Sequence, residues 1–112
     1  MNEFKSFVER HITMYQEKIE YFGPKFSEDP VNALEWSHTV FRDAARLKVA
    51  QIALSHLAKG RTLQQLHAEM LERALRGAKF PQRSTSATAN LASEEMTAAF
   101  ADMAETVEGW MK

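Results

Sequence analysis

The chain has 112 residues, 45% of them hydrophobic, no cysteine and a formal net charge of −1. That length suffices for one domain with a buried core, and the lack of cysteine excludes disulfide frameworks, thiol catalysis and cysteine-ligated zinc. Only four Gly and three Pro among abundant Ala, Leu, Glu, Lys, Arg, Gln and Met predict an all-α chain.

The first helix is predicted over residues 3–22. Phe4, Phe7, Val8, His11, Ile12, Tyr15, Ile19 and Phe22 repeat at i, i+3, i+4, i+7, and Gly23-Pro24 stops the run. Phe26, in the connection that follows, is expected to plug the end of a bundle.

Asp29 is a good N-cap and Pro30 needs no amide of its own, so a second helix is predicted over 30–59, closed by Gly60. At 1.5 Å per residue it would be roughly 45 Å long. It carries two apolar stripes. Val31, Leu34, His38, Phe41, Ala45, Val49, Ile52 and His56 form one, and Ala33, Trp36, Val40, Leu47, Ala50, Leu54 and Leu57 form the other. A helix apolar on two sides must be covered on two sides.

Thr62, with Gln65 three positions on, has the capping-box form and begins a third helix over 62–76, which Gly77 is expected to end. The short link makes the second and third helices neighbours, as a hairpin or a sharper corner. Residues 78–92 read as a loop, and Ser93-Glu94-Glu95 as the start of a fourth helix over 93–111. Its stripe is Met96, Phe100, Met103, Val107, Trp110 and Met111.

These elements predict one domain over 1–112: an all-α, four-helix, bundle-like fold with one long central helix. One face of that helix would take the first and fourth helices, the other the third helix and a second copy of the chain. A homodimer follows, with Trp36, Val40, Leu47 and Leu54 at its interface. No apolar run approaches the length of a bilayer crossing, and MNEFKSFVER lacks the features of a signal peptide; the expectation is a cytoplasmic protein without membrane contact.

Charge is unevenly spread. Residues 42–83 carry nine Lys/Arg against three Asp/Glu, whereas residues 1–41 carry four against seven and residues 84–112 one against five. Acidic outer helices would then pair with a basic middle. Alternatively Arg42, Arg46, Lys59, Arg61, Arg73 and Arg76, with Lys79 and Arg83, form a patch for nucleic acid or a small anionic ligand.

All four histidines fall on apolar stripes. In an antiparallel pair of the first two helices His11 and His38 would meet, and Glu35-x-x-His38 puts a carboxylate and an imidazole on one face, so His11, Glu35 and His38 are the candidate metal ligands. The competing reading makes these histidines packed core or interface residues. His56 and His67, flanking Gly60, form a second candidate pair.

Arg61-x5-His67 resembles the Arg-x4–6-His motif of the helical ribonuclease domains called HEPN, although the polar residue following the Arg is here Thr62. The resemblance implies that Arg61 polarises a phosphate and His67 acts as acid or base at a dimer interface. There is no Gly-rich phosphate loop, nucleophile elbow or zincin motif, and no cofactor is expected. The leading expectation is a protein-interaction module, an adaptor or inhibitor, that pairs with itself and binds another protein. A nucleic-acid or anion binder is the alternative, and a metal-dependent or HEPN-like enzyme the third reading.

Overall fold

A computed structural model describes residues 2–80 and 86–112, except for the side chains of Asn2, Phe26, Ser27, Pro30, Ala33, Leu34, Glu35, Ala87 and Thr88. The described residues form helices α1 (Asn2–Phe22), α2 (Lys25–Glu28), α3 (Pro30–Ala58), α4 (Leu63–Lys79) and α5 (Ala87–Met111), with no strand among them. The expected plug at Phe26 lies outside the described side chains.

The helix boundaries follow local chemistry. Gly23 donates its amide to the Ile19 carbonyl at 2.9 Å and closes α1. A single turn, α2, then leads to Asp29, whose Oδ1 accepts the Asn32 amide at 3.3 Å and caps α3. Gly60, at φ +79°, turns the chain in the left-handed region that glycine enters without steric penalty. The predicted capping box is present: Thr62 Oγ1 accepts the Gln65 amide at 3.1 Å, and Gln65 Oε1 accepts the Thr62 amide at 2.9 Å.

Two boundaries differ from expectation. Gly77 does not end the third predicted helix; α4 runs through it to Lys79. A Cβ on Gly77 would lie 2.3 Å from Thr97 Oγ1, so this glycine permits a close approach of α4 to α5. The fourth predicted helix starts earlier, at Ala87, where Ser86 Oγ accepts the Ala89 amide at 3.2 Å. Ser93 is interior to α5, its carbonyl accepting the Thr97 hydroxyl at 3.1 Å. Alanine-rich sequence ahead of Ser93 is a strong helix former, which shortens the expected 78–92 loop from both ends. Residues 81–85 of that loop lie outside the described set.

Contacts along the chain set the topology. Phe22 meets Trp36 with ring centroids 5.8 Å apart, while Val8 lines the same cleft as Val49 and Ala50, so α1 runs antiparallel to α3. His38 faces Glu95 and Arg46 faces Asp102, so α3 and α5 run parallel. Arg73 lies over Phe100 and Gly77 against Thr97, so α4 runs antiparallel to α5. The helices measure 44 × 31 × 22 Å together, two helix diameters in the thinnest direction.

The faces of α3 are covered differently from the expectation. Its neighbours are α1 and α5, while α4 packs on α5 and makes little contact with α3; the Gly60 link is a corner, not a helical hairpin. The stripe expected to face a second copy lies largely against α1: Trp36 packs against Phe22, Ala50 is buried, and Leu54 packs on the core. Val40 and Leu47 are half-buried. The core lies where α1, α3, α4 and α5 converge, around Phe4, Val8, Val49, Ala53, Leu66, Met70 and Val107. Full burial of each larger side chain is worth on the order of 2 kcal/mol.

Two polar residues are buried with this apolar set, Asp43 and His56. Arg61 Nη1 donates to His56 Nδ1 at 2.7 Å across the corner. Asp43 Oδ2 has no hydrogen-bond partner among the described residues.

Candidate functional site

Parallel α5 and antiparallel α1 flank α3 and leave between them a cleft of about 470 Å³, floored by Arg46, Val49 and Ala50. This volume is within the range of sites that hold small organic ligands.

The α1 wall is aromatic. Phe7, His11 and Tyr15 recur every fourth residue, one above the next on the helix face. The His11 ring lies 4.1 Å from Phe7 and 6.1 Å from Tyr15, centroid to centroid. Behind this wall Trp110 packs on Phe4 and Phe7, each at 5.4 Å. His11 Nδ1 is 2.9 Å from the Phe7 carbonyl oxygen. A carbonyl can only accept, so Nδ1 carries the proton and Nε2 of the neutral ring is an acceptor.

The opposite wall is acidic. α5 contributes Asp102 and Glu105, with Ala99, Met103 and Thr106 between and beside them. Thr106 turns its hydroxyl back to the Asp102 carbonyl at 2.9 Å. Arg46 rises from the floor to Asp102, Nη2 to Oδ2 3.6 Å, in a half-exposed pair of the kind worth at most about 1 kcal/mol. Burial raises the Tyr15 phenol above its ordinary 10.0, an effect that Arg46 partly offsets and Asp43 and Asp102 reinforce. Beyond Arg46 the cleft continues past Arg42 and Glu95.

Of the expected metal ligands, His11 and His38 are not brought together. His11 lies opposite Arg46 and Ala50, whereas His38 precedes Arg46 by eight residues, about 12 Å along α3, and its Nε2 sits 3.4 Å from Glu95 Oε1. The Glu35 side chain lies outside the described residues. Among the described residues no group of three His, Asp or Glu side chains has metal-binding geometry. Arg61 donates to His56, and His67 lies part-buried on α4.

The expected cations occupy separate surfaces. Arg46 lines the cleft and Arg42 its extension. Arg73 and Arg76 stand on α4, which packs on nearly the opposite face of α5, where Nε of Arg73 meets Glu69 at 2.7 Å and Arg76 pairs with Glu72. Lys59 and Arg61 lie at the corner, and Arg83 lies outside the described residues. The expected pairing of the basic middle with acidic outer helices has an instance in Arg46–Asp102; His38, which precedes the basic segment, lies beside Glu95.

His11 and Arg46 were both legible as candidates, but for different sites; the fold puts them in one. Tyr15 was legible only as a core residue. Asp102 and Glu105 were not anticipated, and their only sequence signal is a second face of α5, Ala99, Asp102, Met103 and Thr106, beside the apolar stripe. Compared with known proteins, the chain matches no family model, no curated protein and no solved structure.

Proposed function

We propose that this chain is a binding module for a small organic molecule, seated in the cleft between α1 and α5. The observation that carries this reading is the convergence of the His11 imidazole, the Tyr15 phenol and the Arg46 guanidinium on one cleft of about 470 Å³ with an aromatic wall. A few fixed polar groups on a mostly apolar concave surface are the usual constitution of a ligand site. An amide-detected NMR screen of small amphiphilic compounds tests it. Ligands should shift Ala50, Ala99 and Thr106 together and lose their effect in Thr106→Trp, which fills the cleft; hits indifferent to that substitution would refute the reading.

A second reading retains the protein-interaction module that pairs with a copy of itself, here through the exposed face of α4. It is favoured by Leu71 and Leu75, one turn apart on α4 and 42% and 62% exposed, with Phe80 beyond them. Sedimentation should then give a dimer that Leu71→Lys with Leu75→Lys dissociates. A monomer at all concentrations would exclude this reading.

A further inference from the structure

We infer that the cleft selects a dipolar ligand, an amine and an acid joined by a short apolar body. The inference rests on the cleft being a ligand site and concerns which chemistry that site accepts.

The cleft has two tiers. Phe7 contacts Trp110, so antiparallel α1 and α5 bring His11 level with Glu105 and Thr106, and Tyr15 level with Asp102. The lower tier offers acceptors: the Glu105 carboxylate and, in the neutral ring, Nε2 of His11, whose Nδ1–H is committed to the Phe7 carbonyl. An ammonium, with three N–H donors and no acceptor, satisfies that tier.

The upper tier offers donors. Arg46 carries five N–H donors; one faces Asp102 at 3.6 Å and the Tyr15 hydroxyl accepts another, which leaves further N–H groups for a ligand. A carboxylate fits there. One helical turn, about 5 Å, separates the tiers.

Singly charged ligands meet opposition. A lone anion must enter past Asp102 and Glu105, and a lone cation leaves the remaining Arg46 donors without an acceptor. Only a molecule with both charges, oriented with its amine toward Glu105 and its acid toward Arg46, meets attraction at each end. Its apolar body then faces Phe7, His11 and Tyr15.

The test is calorimetric titration of the full chain with three matched probes: 4-amino-3-phenylbutanoate, 2-phenylpropylamine, which lacks the acid, and 3-phenylbutanoate, which lacks the amine. The dipolar probe should bind about tenfold or more tighter than either counterpart. Arg46→Gln should weaken the dipolar probe about tenfold while leaving the amine probe no weaker. Glu105→Gln, at an exposed position that folding does not depend on, should do the converse and spare the acid probe. A singly charged probe that shifts Ala50, Ala99 and Thr106 and binds as tightly as the dipolar one would overturn dipolar selection while leaving the cleft as a ligand site. Failure of all three probes to shift those amides would overturn both.

Discussion

Gly77→Ala separates close packing of α4 on α5 from a solvent-facing α4. On a solvent-facing helix, Gly→Ala stabilises by about 1 kcal/mol, because alanine loses less backbone entropy. At position 77 the new methyl would lie 2.3 Å from Thr97 Oγ1 and 3.2 Å from Thr97 Cβ and Cγ2. Thr97 cannot step aside cheaply: its side chain is branched at Cβ, and its hydroxyl is engaged with the Ser93 carbonyl at 3.1 Å. α4 and α5 must therefore separate, and overpacking of this kind costs about 1–3 kcal/mol. Set against the helical gain, the net expectation is a loss of about 1 kcal/mol where propensity alone predicts a gain of the same size. The assay is urea unfolding followed by Trp fluorescence, since Trp110 is packed on Phe4 and Phe7. Thr97→Ala should remove the clash, so the double variant should exceed the sum of the single effects by about 1 kcal/mol or more. A stabilised Gly77→Ala, with no coupling to Thr97, would refute the α4–α5 contact.

The buried polar groups and the caps give further expectations. His56 is held below its ordinary 6.5 by burial, reinforced by Arg61, Arg73 and Lys59 and opposed by Glu69. The folded state thus binds this proton less readily than the unfolded chain, so stability should be full above pH 6.5 and fall as the pH drops through the lowered folded value. Thermal melts of wild type and His56→Gln should differ in slope over that window, and parallel curves would exclude His56 as the source. Glu69 is shifted down by its hydrogen bond to Arg73, so its own contribution is present above 4.5 and lost in more acidic solution. Asp43→Leu removes a buried polar side chain whose Oδ2 has no hydrogen-bond partner among the described residues; unfolding titrations should show a gain of about 1 kcal/mol, and a loss would mean that the carboxyl group has a stabilising contact. Thr62→Ala should cost about 1 kcal/mol through loss of the capping box, measured in the same way, and an unchanged midpoint would count against that cap.

What the sequence made legible was local. The spacing of Phe4 and Val8, the Asp29 cap and the Thr62–Gln65 box depend on residues within a turn or two of one another, and each is present in the structure. Gly77 was misread because its role is decided by Thr97 on another helix, and a glycine that permits close approach is indistinguishable in sequence from one that ends a helix. The two stripes of α3 were visible, but not which element would cover each: nothing in the Gly60 link says that α4 will choose α5 over α3.

The candidate site illustrates the same limit. His11 and Arg46 drew attention through residue type, one as a metal ligand and the other as part of a basic patch. Their common cleft arises from the antiparallel crossing of α1 over α3, which no single segment encodes. Asp102 and Glu105 read as ordinary helix-surface acids until α5 is laid parallel to α3 and one of them meets Arg46.

The position of a bound ligand is the most direct test of the cleft. Intermolecular nuclear Overhauser contacts between the phenyl ring of 4-amino-3-phenylbutanoate and the protein would locate it. The cleft predicts contacts to the Phe7 and Tyr15 rings and to the Met103 methyl. Contacts instead to Leu71, Leu75 or Phe80 on the exposed face and end of α4 would contradict it.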